Sequence, residues 1–233
     1  MTKFYRQLKT VVEHTLKVES KNFDRLLSSF LFSVTVMVLF FFALGEINDI
    51  TLVKKVFIAE TYLAAFLALQ IAFARSFELD LQDRVFELLR TYPLSPYVWF
   101  LAKLATVFLM GLLILVPTIG VSLLFHKDVV LQGHGLQFFT VAILTLLGLC
   151  SLGVLLSSLM IGHQSQQILY PILYFPLTTP VLLSASQASE SILSDGSTLA
   201  SMIDSWLGLL LIFIALYFFL GLILFNELVK AEN

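Results

Sequence analysis

The sequence predicts an all-α polytopic membrane protein: six transmembrane helices, an amphipathic N-terminal interfacial helix, and a cytoplasmic docking helix between spans two and three. Three observations carry this. Hydrophobic residues make up 58% of the 233-residue chain and charged residues 13%, with a mean hydropathy of +0.93, whereas soluble domains run near 25% charged. Six apolar runs are each long enough to cross a hydrocarbon core of about 30 Å, which takes about 20 helical residues. The charged residues left over are sorted by position. The chain reads as one membrane domain, residues 1–233.

Residues 1–25 form the interfacial helix. Phe4, Leu8, Val11, Val12 and Leu16 recur at helical spacing, while Arg6, Lys9, Glu13 and Lys17 fall elsewhere, the pattern of a basic helix lying on anionic headgroups. The spans follow at 26–44, 56–74, 98–125, 136–161, 168–188 and 206–228. The third is interrupted by Pro117. The fifth carries Pro171, Pro176 and Pro180, and because proline removes a backbone donor and kinks a helix it reads as broken or re-entrant-like.

Lysine and arginine set the orientation. Six spans place both termini on one side, and eleven of the fourteen basic residues fall there: Lys3, Arg6, Lys9, Lys17, Lys21, Arg25, Arg75, Arg84, Arg90, Lys103 and Lys230. Lys54, Lys55 and Lys127 fall on the other. Basic residues stay cytoplasmic, so both termini and segment 75–97 are expected in the cytoplasm.

That segment is the most organised charged stretch. Phe77, Leu81, Val85, Leu88 and Leu89 line one helical face. Ser76 is placed to cap it, with Glu78 and Asp80 in the first turn, and Pro93 stops it. Asp80, Arg84 and Glu87 form a row of opposite charges, whereas Asp83 and Glu87 repel at i, i+4, an arrangement that suits a partner supplying a cation. No G-x-x-x-x-G-K-[ST] motif occurs, so an ATP-driven machine built on this chain takes its ATPase from another polypeptide.

Inside the spans, Glu60 and Gln70 are polar at membrane depth, where polar groups face the bundle or a partner; the alternative for Glu60 is a place near the outer interface, protonated or snorkelling. Gly111, Gly148, Gly153 and Gly221 read as small residues that let helices approach. His126 and His134 share an outer loop. Lone loop histidines are ordinarily solvated, and no H-E-x-x-H or carboxylate cluster points to metal chemistry. The single Cys150 excludes an internal disulfide.

The layout resembles the ABC-2-type permeases and, more narrowly, the CcmB haem exporter family of bacterial cytochrome c maturation. The resemblance rests on Arg75, Phe77 and Asp80, then Leu81-Gln82-Asp83, Phe86-Glu87-Leu88-Leu89, Pro93-Leu94 and Ala102-Lys103. Pro176-Leu177-Thr178-Thr179-Pro180 matches the family's P-L-T-x-P run. Arg84 stands where the family favours glycine, and Phe86 where leucine is commoner. The resemblance implies a coupling helix, with Arg75, Phe77, Asp80, Leu81, Asp83, Arg84, Glu87, Leu88, Pro93 and Leu94 at the ATPase, and Glu60, Gln70, Pro176, Thr178 and Pro180 as candidate functional positions in the membrane. It implies a non-catalytic permease subunit in the bacterial inner membrane. Its expected partners are a CcmA-like ABC ATPase, CcmC-like and CcmD-like membrane subunits and the haem chaperone CcmE; no nucleic-acid partner is expected. ATP would sit on the partner and haem in the complex, with no cofactor assigned to this chain. An ABC-2-type permease exporting a drug, lipid or polysaccharide is the alternative.

Overall fold

The computed structural model describes residues 2–20, 23–45, 47, 49–82, 96–126, 129, 133–159 and 166–231. Within them the chain forms α1 (Thr2–Ser20), α2 (Phe23–Leu44), α3 (Ile50–Gln82), α4 (Pro96–Phe125), α5 (Gly135–Leu159), α6 (Gln166–Asp195), a 3₁₀ turn (Ala200–Met202) and α7 (Trp206–Ala231). No strand occurs among the described residues. Six of the described helices, α2 to α7, are long and apolar enough to cross a membrane, as the hydropathy predicts.

Local chemistry explains where the helices begin and end. Asp49 caps α3: its Oδ1 accepts from the Thr51 amide at 2.9 Å and the Thr51 hydroxyl at 2.7 Å. These two bonds hold the Asp49 carboxyl below its ordinary pKa. The helix therefore starts at Ile50, six residues before the apolar run at 56, and takes in Lys54 and Lys55. Gly45 and Gly196 follow α2 and α6 with φ of 63° and 65°, the left-handed conformation that ends a helix without a Cβ penalty.

The predicted break in the fifth span is not there. α6 runs continuously through Pro171, Pro176 and Pro180. Hydroxyls bind backbone carbonyls along the proline-rich stretch: Thr178 and Thr179 donate to the Phe175 carbonyl (2.8 and 3.2 Å) and Ser184 to that of Pro180 (2.8 Å). Tyr217 on α7 donates to the Leu177 carbonyl at 2.7 Å. None of these bonds reaches the carbonyls of Gln167, Ile172 and Pro176, which the three prolines leave without their i+4 donors; each proline costs the ladder one bond and the remaining bonds carry the helix through.

α5 is the centre of the bundle, packed against α4, α6 and α7. Of its apolar window 72% is buried, against 17% for α2, which lies at the edge against α3 and α4. α1 lies along α4. Its Leu8, Val11, Val12 and Leu16 are half-buried while Arg6, Lys9, Glu13 and Lys17 are exposed, the division its periodicity predicts. The bundle has two ends. The Lys54 end carries the α2–α3, α4–α5 and α6–α7 connections, and the Lys103 end carries α1, the start of α4 and the end of α7.

Candidate functional site

At the Lys103 end, α3 continues nine residues past the apolar span Ile50–Phe73, as far as Gln82. At 1.5 Å per residue this extends the helix by about 13 Å. Arg75, Phe77, Asp80 and Leu81 belong to this extension, with Phe77 and Leu81 one turn apart. Ser76 lies inside the helix and so does not cap a separate one: the expected boundary at 75 is a continuation of span two. Residues 83–95, with Asp83, Arg84, Glu87, Leu88, Pro93 and Leu94, lie outside the described residues.

Where the chain enters α4, packing is aromatic. Trp99 stacks on Phe225 with ring centroids 4.8 Å apart, and Phe100 meets both Phe218 (6.1 Å) and Phe225 (6.3 Å). Gly221 makes this approach possible, since a Cβ there would fall 2.5 and 2.7 Å from ring carbons of Phe100. Lys103, almost two turns into the span, is buried.

The Lys54 end is held by polar contacts between helices. Lys54 donates to the Leu193 carbonyl of α6 at 2.7 Å, and Lys55 pairs with Glu190 at 3.0 Å. Thr61 bonds Ser122 of α4 at 2.7 Å, and Tyr62 bonds Ser189 of α6 at 2.8 Å. Deeper, Ser33 of α2 reaches Thr118 of α4 at 3.0 Å. Glu60 is turned inward as its membrane depth predicts, and its side chain is 1% exposed. Its Oε2 faces Nε2 of His126 at 3.5 Å, too long for a good hydrogen bond, and neither carboxylate oxygen has a hydrogen-bond partner.

The remaining candidates scatter. Gln70 is half-buried on α3. On α6, Pro176 is exposed, Thr178 buried and Pro180 half-buried. The two loop histidines turn to different neighbours, His126 to Glu60 and His134 to Gly196. No group of three or more histidine, cysteine, aspartate or glutamate side chains gathers among the described residues. Cys150 is buried.

Three features escaped the sequence reading. Glu60 and His126 are distant in sequence, and nothing in either neighbourhood names the other. The Asp49 cap was legible as an aspartate two residues before threonine. At Gly208, a Cβ would collide with the Ile203 backbone carbonyl, because the turn before α7 folds back against that helix.

A comparison with the curated proteins finds no match. Among protein families, the chain matches the one described as CcmB protein, over residues 6–223. That stretch takes in the helix of basic and apolar residues, the charged segment between spans two and three, the proline run of α6 and most of α7. With nearly its whole length matched, the chain belongs to the CcmB protein family.

Proposed function

We propose that this chain couples ATP hydrolysis on a separate CcmA-like ATPase to haem export, or to release of the haem-loaded periplasmic chaperone CcmE, in a complex with CcmC-like and CcmD-like subunits. Family membership gives the broader frame: a multi-pass, ABC-2-type permease subunit of cytochrome c maturation that works with an ABC ATPase and other Ccm components and is not itself catalytic. The match over residues 6–223 is the observation that carries the reading.

The finer proposal draws on the charged segment. In it, the ATPase seats on residues 75–94 in the cytoplasm: Phe77, Leu81, Leu88 and Leu94 pack, and Pro93 ends the helix. Arg75, Asp80 and Arg84 flank the contact, while Asp83 and Glu87 set its electrostatic register by meeting basic groups on the ATPase. The unbroken extension of α3 supports this, because a helix carries displacement from its end into the span without a joint. Glu60, Gln70, Pro176, Thr178 and Pro180 would then shape the membrane part that responds. The test is charge reversal at both acids, Asp83→Lys with Glu87→Lys. It should reduce permease-dependent ATPase stimulation to the unstimulated rate while the variant still inserts in the membrane. Wild-type stimulation by the double variant would sink the proposal.

A further inference from the structure

We infer that Glu60 and His126 form a proton-binding site between α3 and the end of α4, at the Lys54 end of the bundle. The argument starts from the imidazole. His126 Nδ1 lies 3.2 Å from the Ser122 carbonyl. A carbonyl can only accept, so Nδ1 carries its hydrogen and donates it. In a neutral ring with Nδ1–H, the other nitrogen has a lone pair and no proton. That nitrogen, Nε2, is the one 3.5 Å from Glu60 Oε2. A lone pair facing a bare carboxylate would be repulsive, and in a site this dry the repulsion would go unscreened.

The contact is therefore satisfied only when a proton occupies the space between Nε2 and Oε2. It sits either on Nε2, giving imidazolium beside carboxylate, or on the carboxyl, giving a neutral pair. Both descriptions have the same composition and the same net charge. Losing that proton leaves one buried negative charge, and gaining a second leaves one positive charge on the ring beside a neutral acid. Oε1, buried and without a hydrogen-bond partner, is free to hold the second proton.

The surroundings do not offer a substitute counter-ion. On α3, Lys54 is bonded to the Leu193 carbonyl and Lys55 to Glu190 of α6. Tyr62, also on α3, is bonded to Ser189 of α6, and Ser122 of α4 bonds Thr61. α5 presents Phe138, which packs on Phe57, and Phe57 in turn meets the His126 ring edge-on at 5.9 Å. His134, just before α5, lies against Gly196. Asp49, before α3, is bonded to Thr51. Among the described residues, His126 is thus the only cationic group within ion-pair distance of Glu60. The two partners also differ in access. The His126 side chain is 10% exposed against 1% for Glu60, and it stands one residue beyond the end of its span, so the ring is the route by which a proton from water reaches the carboxyl.

The inference is independent of whether an ATPase docks at the far end of α3. Its test uses the full chain in lipid nanodiscs with ¹⁵N-labelled histidine and ¹³C-labelled glutamate, over about pH 5 to 8, where histidine ordinarily changes charge. Nitrogen NMR reads whether His126 Nε2 is protonated, with His126→Gln assigning the signal, and infrared spectra read a desolvated glutamic acid band. One of the two signals should be present near neutrality, and the infrared band should grow as the pH falls. Glu60→Gln should diminish whichever is present by about tenfold or more. Absence of both in the wild type, or a signal that persists unchanged in Glu60→Gln, overturns the proposal. The first of these outcomes needs no variant, so a misfolded Glu60→Gln would not protect the idea.

Discussion

Among the described residues, the two ends of this bundle differ in the contacts that join their helices. The Lys54 end joins α3, α4 and α6 through hydroxyls, two lysines and a buried carboxyl–imidazole pair. The Lys103 end joins α4 to α7 through the rings of Trp99, Phe100, Phe218 and Phe225. Hydrogen bonds are directional, so the first end accepts one register of its helices. Ring contacts depend on shape and close approach, and offset arrangements of similar energy are open to them. In lipid neither end gains from hydrophobic transfer, because acyl chains are as apolar as the core, and packing and polar contacts must hold the helices instead. Among the described residues, directional contacts gather at the Lys54 end and ring contacts at the Lys103 end.

The comparison can be broken most forcefully at Gly221. Gly221→Ala drives a methyl into the fully buried Phe100 ring and should destabilise the protein by about 2 kcal/mol, a typical cost of overpacking. Adding Phe100→Leu should recover most of that loss. Thermal unfolding in a fixed detergent measures both, and a Gly221→Ala protein as stable as the wild type would mean that the rings have room to move aside. A smaller effect is expected at the polar end. Ser122→Ala leaves the Thr61 hydroxyl without its partner and should cost about 1 kcal/mol, whereas Thr61→Val with Ser122→Ala should cost no more than the single change. A strictly additive double variant would show that the hydroxyl pair acts as two independent packing groups.

The smallest expected effect concerns the start of α3. Hydrogen bonds from Thr51 lower the Asp49 pKa, so the cap's contribution is complete above the ordinary carboxylate range of about 4 and fades as pH falls through the lowered value. Hydrogen exchange at the Thr51 amide should therefore lose protection in strong acid. Asp49→Asn, which still accepts the amide bond, should remove that acid dependence. Equal acid sensitivity in both proteins would place the titrating group elsewhere.

Much of the fold was legible because a bilayer imposes length and hydropathy together. The first span, at 26–44, coincides with the apolar helix of the structure, and the third differs by one residue at its start. The misreadings fall where backbone chemistry outweighs hydropathy. Span two begins at Ile50 because Asp49 caps it, although Lys54 and Lys55 lower the local hydropathy. Span five stays helical through all three of its prolines, because each removes one bond of the ladder and leaves the others in place, which proline counting does not register. Ser76 looked like a cap because a cap is a residue type as well as a position, and the helix had already begun upstream. The segment that gave the family away was legible as a motif, but the Glu60–His126 pair was not. No spacing rule connects an acid inside one span to a residue just past the end of another; only the packing of α3 against α4 brings them together.

The continuity of α3 has a mechanical consequence. Its 33 residues make a rod of about 50 Å, held at one tip by the Asp49 cap and the contacts of Lys54, Lys55 and Glu60. A tilt of only about 5° around Glu60, about 33 Å from Gln82, would sweep Gln82 through about 3 Å, about half the pitch of one helical turn. The pivot of that rod lies beside a carboxyl whose charge depends on a proton, so a change at atomic scale at one tip is magnified by length alone at the other.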